Sequence, residues 1–214
     1  MKRCSAAATK LVSLALAMMA LAACAIGKTV PQPKTYLVQP AATPDATAAR
    51  PPTESVRIGG VRVAASYSGN ALVYRVGEVE FVSDPYNQFV TEPGAMFADQ
   101  IASWLNRAGP FRPVLPPESA LPTRYVLDAT ITELFGDFRP AGAPRAVLAI
   151  QFTLLDEGRA RPQLLLERLI ERRVDLTKAT PEALVQGYGV ALSSILEELR
   201  TGLQVIAKAV PLTP

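Results

Sequence analysis

Hydrophobic positions along the chain fall in two rhythms. At period two, Val56, Ile58, Val61 and Val63 predict a strand, and Gly59-Gly60 shifts the alternation as a bulge or turn would. Ser68-Gly69-Asn70 has turn chemistry and leads into a second strand, Ala71 to Val76. Beyond Gly77, Val79-Glu80-Phe81-Val82 alternates again, which predicts a hairpin. The rhythm then changes to helical spacing, with Met96, Phe97, Ile101, Trp104, Leu105 and Ala108 on one side. Thr91 offers a cap, Pro93 suits a first turn, and Gly109-Pro110 stops the helix. A Trp and Phe stripe of this kind is core far more often than a ligand pocket.

Phe111 to Leu115 predicts a short strand. Tyr125 to Leu134 alternates as a strand with one buried face, and the more apolar Ala146 to Leu155 reads as a more central one. Residues 163–176 fit both rhythms: Leu165, Leu166, Leu169 and Ile170 suit a helix, whereas Leu166, Arg168, Ile170, Arg172 and Val174 alternate. We read the segment as a strand. Thr180 and Pro181 open a long helix carrying Leu184, Tyr188, Ala191, Leu192, Ile195, Leu199 and Leu203 on one side; Gly187 and Gly189 would permit close packing on a sheet. The expected fold is α+β, a mainly antiparallel sheet with two helices packed on one face, spanning residues 56–208 before a tail at 209–214.

The N-terminus follows a different logic. Lys2, Arg3 and Lys10 precede the uncharged run Leu11 to Leu21, and Leu21-Ala22-Ala23-Cys24 follows. This order predicts a signal peptide over 1–23. The apolar run is too short to cross a hydrocarbon core of roughly 30 Å comfortably. Residues 24–55 are rich in Pro, Ala and Thr, which predicts an extended tether ahead of the domain. Within it, Tyr36-Leu37-Val38 is an apolar island that suits an added edge strand as well as plain linker.

Charge and cysteine use narrow the chemistry. The signal carries three Lys/Arg and no Asp/Glu. Without it, 19 basic residues face 19 acidic ones, and the net charge of +3 falls to zero. No block of like charge predicts a nucleic-acid surface. Of the two cysteines, Cys4 leaves with the signal and Cys24 is the predicted lipidation site, so the mature domain keeps no thiol for a disulfide or a metal. There is no histidine, which removes Ser-His-Asp and Cys-His catalysis and His-ligated zinc. No cofactor or metal is expected.

The remaining candidates are contact residues. Tyr74-Arg75 could meet an anionic headgroup or a carboxylate, although a packed Tyr74 and a solvated Arg75 are the commoner outcome. Tyr86 and Phe89 lie in a predicted loop before the helix, as contacts or as core closure. Arg168 and Arg172, beside Glu171 and Arg173, could form the rim of a phospholipid or protein docking site, or a solvated strand face. Glu133 with Asp137, and Asp156 with Glu157, lack a supporting ligand set and read as solvated turn or strand-end groups.

Several of these motifs occur in a familiar order: Leu72-Val73-Tyr74-Arg75, then Val79-Glu80-Phe81, then Asp84-x-Tyr86-x-x-Phe89-x-x-x-Pro93-x-x-Met96. Leu105-x-x-x-Gly109-x-Phe111-x-x-Val114 and Tyr125-x-Leu127 follow. Together they resemble the ABC-type transport auxiliary lipoprotein family, and Leu-Ala-Ala-Cys resembles the bacterial lipobox, whose cysteine receives acyl chains. The resemblance implies a non-catalytic, lipid-anchored component working beside an inner-membrane ABC transporter and an MCE-domain protein, with phospholipid as cargo. Ala25 after the cysteine, where Asp would resemble an inner-membrane retention signal, implies the periplasmic side of the outer membrane of a Gram-negative bacterium. A ring-shaped homo-oligomer follows only by analogy with ring-shaped MCE partners. Two further classes compete: a pilot-like assembly lipoprotein of another envelope machine, and, well behind, an envelope hydrolase using carboxylates or a Ser-Lys pair.

Overall fold

A computed structural model describes residues 32–42 and 54–209. The predicted signal peptide, Cys24 and residues 210–214 lie outside the described residues. Eight strands and two helices follow in order: β1 (Lys34–Tyr36), β2 (Val56–Val63), β3 (Ala71–Arg75), β4 (Phe81–Phe89), α1 (Pro93–Ala108), β5 (Val114–Leu115), β6 (Tyr125–Asp137), β7 (Arg145–Asp156), β8 (Gln163–Asp175) and α2 (Pro181–Ala209). Among the described residues no helix is long and apolar enough to cross a membrane.

The sheet is built around β6. Along one edge it pairs antiparallel with β7, which pairs antiparallel with β8. Its other edge is shared, parallel, by β2 over Tyr125–Ile131 and by β3 at Gly136–Asp137. β5 extends the sheet beside β2, β4 beside β3, and β1 beside β4. The longest ladders are antiparallel and the shorter pairings make the sheet mixed. The expected α+β architecture with two helices is present. β6, rather than β7, is the hub, and it buries residues on both faces.

Both helices cover one face: α1 lies over β2, and α2 over β7 and β8. One core joins the α1 stripe (Met96, Phe97, Ile101, Trp104, Leu105) to the α2 stripe (Leu184, Tyr188, Leu192, Ile195, Leu199) across Leu127, Ile131, Leu148, Ile150 and Phe152. These side chains are essentially inaccessible, and their burial is the main force holding the layers together. Val73, Phe135 and Val147 form a small second cluster with Tyr67. The predicted bulge is real: the β2–β6 register shifts between Ile58 and Gly60, and a Cβ on Gly59 would lie 2.2 Å from Asp128 Oδ1.

Several local expectations change. Glu92, not Thr91, stands at the α1 N-cap and makes no side-chain cap bond, whereas the Thr180 hydroxyl does accept from Ala183 N at the start of α2. The predicted loop at Asp84–Phe89 is strand: β4 pairs Ala71 with Gln88 and Leu72 with Asp84, so Pro85-Tyr86-Asn87 bulge out of the ladder. A bulge is where a strand accommodates proline, which has no N–H to donate. Val79 is not in the strand. It sits at the apex of the β3–β4 hairpin, 93% exposed.

The segment read as tether contains structure. β1 pairs parallel with β4, Lys34 opposite Asn87 and Tyr36 opposite Phe89. Val38 is buried within the main core. Ala41 N then donates to Gly189 O, Ala42 N to Ser193 Oγ, and Trp104 Nε1 to Ala42 O. Residues 38–42 are thus a strap laid between α1 and α2.

Candidate functional site

The residues singled out from sequence fall into two separate groups. Tyr74 and Arg75 lie on β3 and Tyr86 and Phe89 on β4, to one side of β6. Arg168 and Arg172 lie on β8, beyond β7 on the other side.

The first group centres on the β4 bulge. Asp84 Oδ1 accepts from the backbone N–H groups of Tyr86 and Asn87, and Oδ2 accepts from the Tyr74 hydroxyl at 2.9 Å and Asn87 Nδ2 at 2.8 Å. Burial would raise this carboxyl, but four donors outweigh it and hold Asp84 below the ordinary range. The same burial, together with the hydrogen bond to Asp84, pushes the Tyr74 phenol far up. Asn87 links onward to the Tyr36 hydroxyl, which also reaches Glu182 Oε1 at 2.9 Å, and Lys34 closes the chain on Glu182 at 3.2 Å. Desolvation and the Glu182 hydrogen bond raise Tyr36 to about 12. The network joins β1, β4 and the start of α2, and sequence spacing could not show it, because its members lie up to 148 residues apart.

Tyr74 also stacks on Phe138 at 5.0 Å, so its ring packs as the commoner expectation held. Arg75 closes the β3–β4 hairpin: Nε donates to Gly77 O at 3.2 Å, Nη2 to Glu78 O at 2.6 Å, and the guanidinium sits 5.8 Å from the Phe81 ring centre. Tyr86 is half exposed. Phe89 is buried against Tyr188, so its side chain belongs to the core and presents no contact surface.

The second group is an ion-pair cluster over the β8–α2 seam. Arg168 and Arg172 each reach one oxygen of Glu198 at 2.5 Å, and Arg172 Nε donates to Ser194 Oγ at 2.8 Å. Arg172 and Arg168 hold Glu198 below its usual range. The cluster ties the edge strand to the helix. Its missing partner in the sequence reading was Glu198, which helical periodicity alone places on a polar flank of α2.

Of the carboxylate neighbours, Glu157 is exposed at a strand end as expected, whereas Asp156 and Asp137 are not solvated. Asp156 is buried and receives Arg124 in a fork, 2.9 Å to Oδ1 and 2.8 Å to Oδ2, with Arg159 at 3.2 Å. Asp137 is likewise buried and held by Arg139 at 2.8 Å. The Arg124 and Arg139 hydrogen bonds lower both carboxyls despite burial. Among the described residues no group of three acidic, His or Cys side chains could hold a metal. Two concavities among the described residues are an open groove of about 410 Å³ where the strap lies beside Trp104, Val190, Ser193 and Glu197, and one of about 230 Å³ beside Glu78, Asp137, Arg139 and Arg145.

The comparisons agree with this architecture. The model of the ABC-type transport auxiliary lipoprotein component matches residues 36–199. A crystal structure of a protein from Xanthomonas campestris is similar over 82% of this chain and 97% of its own, with a TM-score of 0.67 at 16% identity. A second solved protein, uncharacterized, covers 78% of this chain and 99% of its own at a TM-score of 0.57 and 18% identity. At these identities the structures speak for the fold alone. No protein of curated function matches. The family match begins at Tyr36, inside β1, and ends at Leu199 within α2, so it spans the strap, the sheet and both helices just described. The chain belongs to the ABC-type transport auxiliary lipoprotein family.

Proposed function

We propose that this protein is a non-catalytic component of an MCE/ABC-type lipid transport system. In this reading it is anchored by acyl chains on Cys24 to the periplasmic face of the outer membrane, and it docks on an MCE-domain protein that serves an inner-membrane ABC transporter. The family match over residues 36–199 carries the reading. The polar clusters agree with it. Tyr74 is spent on Asp84 between β3 and β4, Arg75 on its own hairpin, and Arg168 and Arg172 on Glu198 between β8 and α2, and they converge on no reacting atom. Ala25 after the cysteine supports the outer-membrane address. Two or more acyl chains, at about 0.8 kcal/mol per buried methylene, give an anchor that one chain would not.

The test is gentle extraction of the tagged full chain from native membranes, with Cys24→Ala as the unlipidated control. We expect an MCE-domain protein and ABC subunits to co-purify with the lipidated chain. Recovery of a different envelope machine, without either, would transfer the protein to the pilot-like class and end the lipid-transport reading.

A further inference from the structure

We propose that Glu133, on the face of the sheet that carries no helix, is the receptor for an arginine side chain projecting from a partner protein. The inference rests on the reading that the chain docks on a protein, and it names the face and the residue that take that partner, whichever envelope machine supplies it.

Alternation along β6 decides the face. Leu127, Ala129, Ile131 and Leu134 join the core under the two helices, whereas Phe135 belongs with Val73 and Val147 to the small second cluster. Beyond the irregularity between Ile131 and Glu133, Glu133 shares the side of Phe135. On that side Tyr67 stacks on Phe135 at 5.9 Å, and Phe81, nearly half exposed, meets the same ring edge-on at 5.4 Å. Burial and, after it, the Glu133 charge raise the Tyr67 phenol, so the carboxylate lies within electrostatic reach of the stacked rings.

Glu133 differs from the other withdrawn carboxylates in that nothing answers it. Its Oε2 is shielded from solvent and accepts no hydrogen bond, although the residue as a whole is partly exposed. Among the described residues no hydrogen bond or ion pair reaches it. Asp84, by contrast, has four donors, Asp137 has Arg139, and Asp156 has Arg124 and Arg159. The basic groups on the same face are committed elsewhere: Arg57 to Glu157, Arg75 to the hairpin carbonyls, Arg145 to Asp175, and Arg173 to Glu171. Arg62, opposite Thr130, is exposed and leaves Glu133 unbonded.

A carboxylate oxygen taken from water without a donor is costly to keep, and charge complementarity names what would repay it. A guanidinium brings the missing charge and several donors in one plane, and that plane also stacks on aromatic rings. The Arg75 guanidinium already sits 5.8 Å from the Phe81 ring centre. A turn about the last side-chain bond exchanges the two carboxylate oxygens, so a donor arriving from solvent need not reach the shielded position.

The test uses the full lipidated chain in its native host. A photo-cross-linking residue, p-benzoylphenylalanine, is placed at Leu169, exposed on the same face of β8, or at Val205, exposed on α2. The linked protein and its linked segment are identified by mass spectrometry. We expect a protein linked from 169 and not from 205, with an arginine in or beside the linked segment. Glu133→Gln, and alanine at that arginine, should each cut the yield about tenfold. Exchanging the two charges, Glu133→Arg against glutamate on the partner, should restore it. By circular dichroism, Glu133→Gln should melt at or above the parent temperature, because it removes an unanswered charge. A full yield from Glu133→Gln, or no protein linked from 169, would overturn the proposal. A melting point well below the parent's would make Glu133 a structural residue, and Arg62→Ala behaving like Glu133→Gln would make the pair internal; either ends it. Linkage to phospholipid alone would put a lipid amine in place of the arginine and end it as well. A linked protein from a different envelope machine, still lost with Glu133→Gln, would remove the lipid-transport reading and leave the receptor standing.

Discussion

At the scale of single residues, burial decides which ion pairs matter. Asp156 ends β7 with its carboxylate almost wholly inaccessible, and Arg124 reaches it in a fork from just before β6. The pair pins one end of the long β6–β7 ladder, and Gly158 N adds a third bond at 3.1 Å. Removing the carboxylate strands two arginines and a backbone amide together. Asp156→Ala should therefore cost about 2–3 kcal/mol of folding free energy. Its neighbour Glu157 makes only a loose contact with Arg57 at 3.7 Å, well open to solvent. Glu157→Ala should stay within about 0.5 kcal/mol of the parent. Denaturant titration of both variants compares the two directly; equal effects would mean that burial is not what separates these adjacent acids.

At the scale of elements, the strap between the helices depends on one hydrogen atom. A Cβ on Gly189 would stand 2.4 Å from the Gln39 carbonyl oxygen, while a Cβ on Gly187 would press on Ala146 and Leu176. The two glycines look alike in sequence, but Gly187 admits the sheet and Gly189 admits the strap. Gly189→Ala should displace residues 38–42, destabilise the domain by about 1–3 kcal/mol, and open the Val38–Ala42 segment to a protease that cuts after small apolar residues. An unchanged midpoint and unchanged protection would show that the strap does not depend on this contact. The same elements mark where the sequence was legible. Both helices and the strands β6 and β7 announce themselves, because each buries a face long enough to impose its own period, whereas the mostly exposed β8 fits both rhythms. For β8, the alternation through Ile170 and Val174 wins because Ile170 pairs with Ile150 and Val174 with Ala146 on β7. β1 offers three residues and takes its pairing from β4, about fifty positions away, so local pattern leaves it open. β4 hides behind Pro85, whose bulge looks like a loop until β3 is beside it. The contact candidates are legible as residue types only, since Asp84 and Glu198, which decide what Tyr74, Arg168 and Arg172 do, lie on other elements.

At the scale of the whole molecule, the buried and paired groups titrate only at the extremes of pH. Hydrogen bonds and arginines hold Asp84, Asp137, Asp156 and Glu198 below their ordinary values, whereas in the unfolded chain they titrate near about 4. Between those points the unfolded state binds more protons than the folded one. The stabilisation is therefore complete above about pH 5 and drains away as pH falls toward the lowered folded values. The tyrosines act in the opposite direction. Tyr36 is raised to about 12 and Tyr74 is raised as well, against about 10 in the unfolded chain. Their contribution is complete below about pH 9 and is lost as the unfolded phenols ionise while the folded ones keep their protons. With no histidine in the chain and no cysteine among the described residues, no side chain of the described domain has an ordinary value between these limbs. The thermal midpoint, followed by circular dichroism, should be flat from about pH 6 to pH 9 and should fall on both sides of that range. Tyr36→Phe should soften the alkaline limb, and it should also trim the acid limb slightly because the Tyr36 hydroxyl helps hold Glu182 below its ordinary value. Asp156→Ala should shrink the acid limb. If Tyr36→Phe left the alkaline limb unchanged, or Asp156→Ala left the acid limb unchanged, the assignment of that limb to these groups would be wrong.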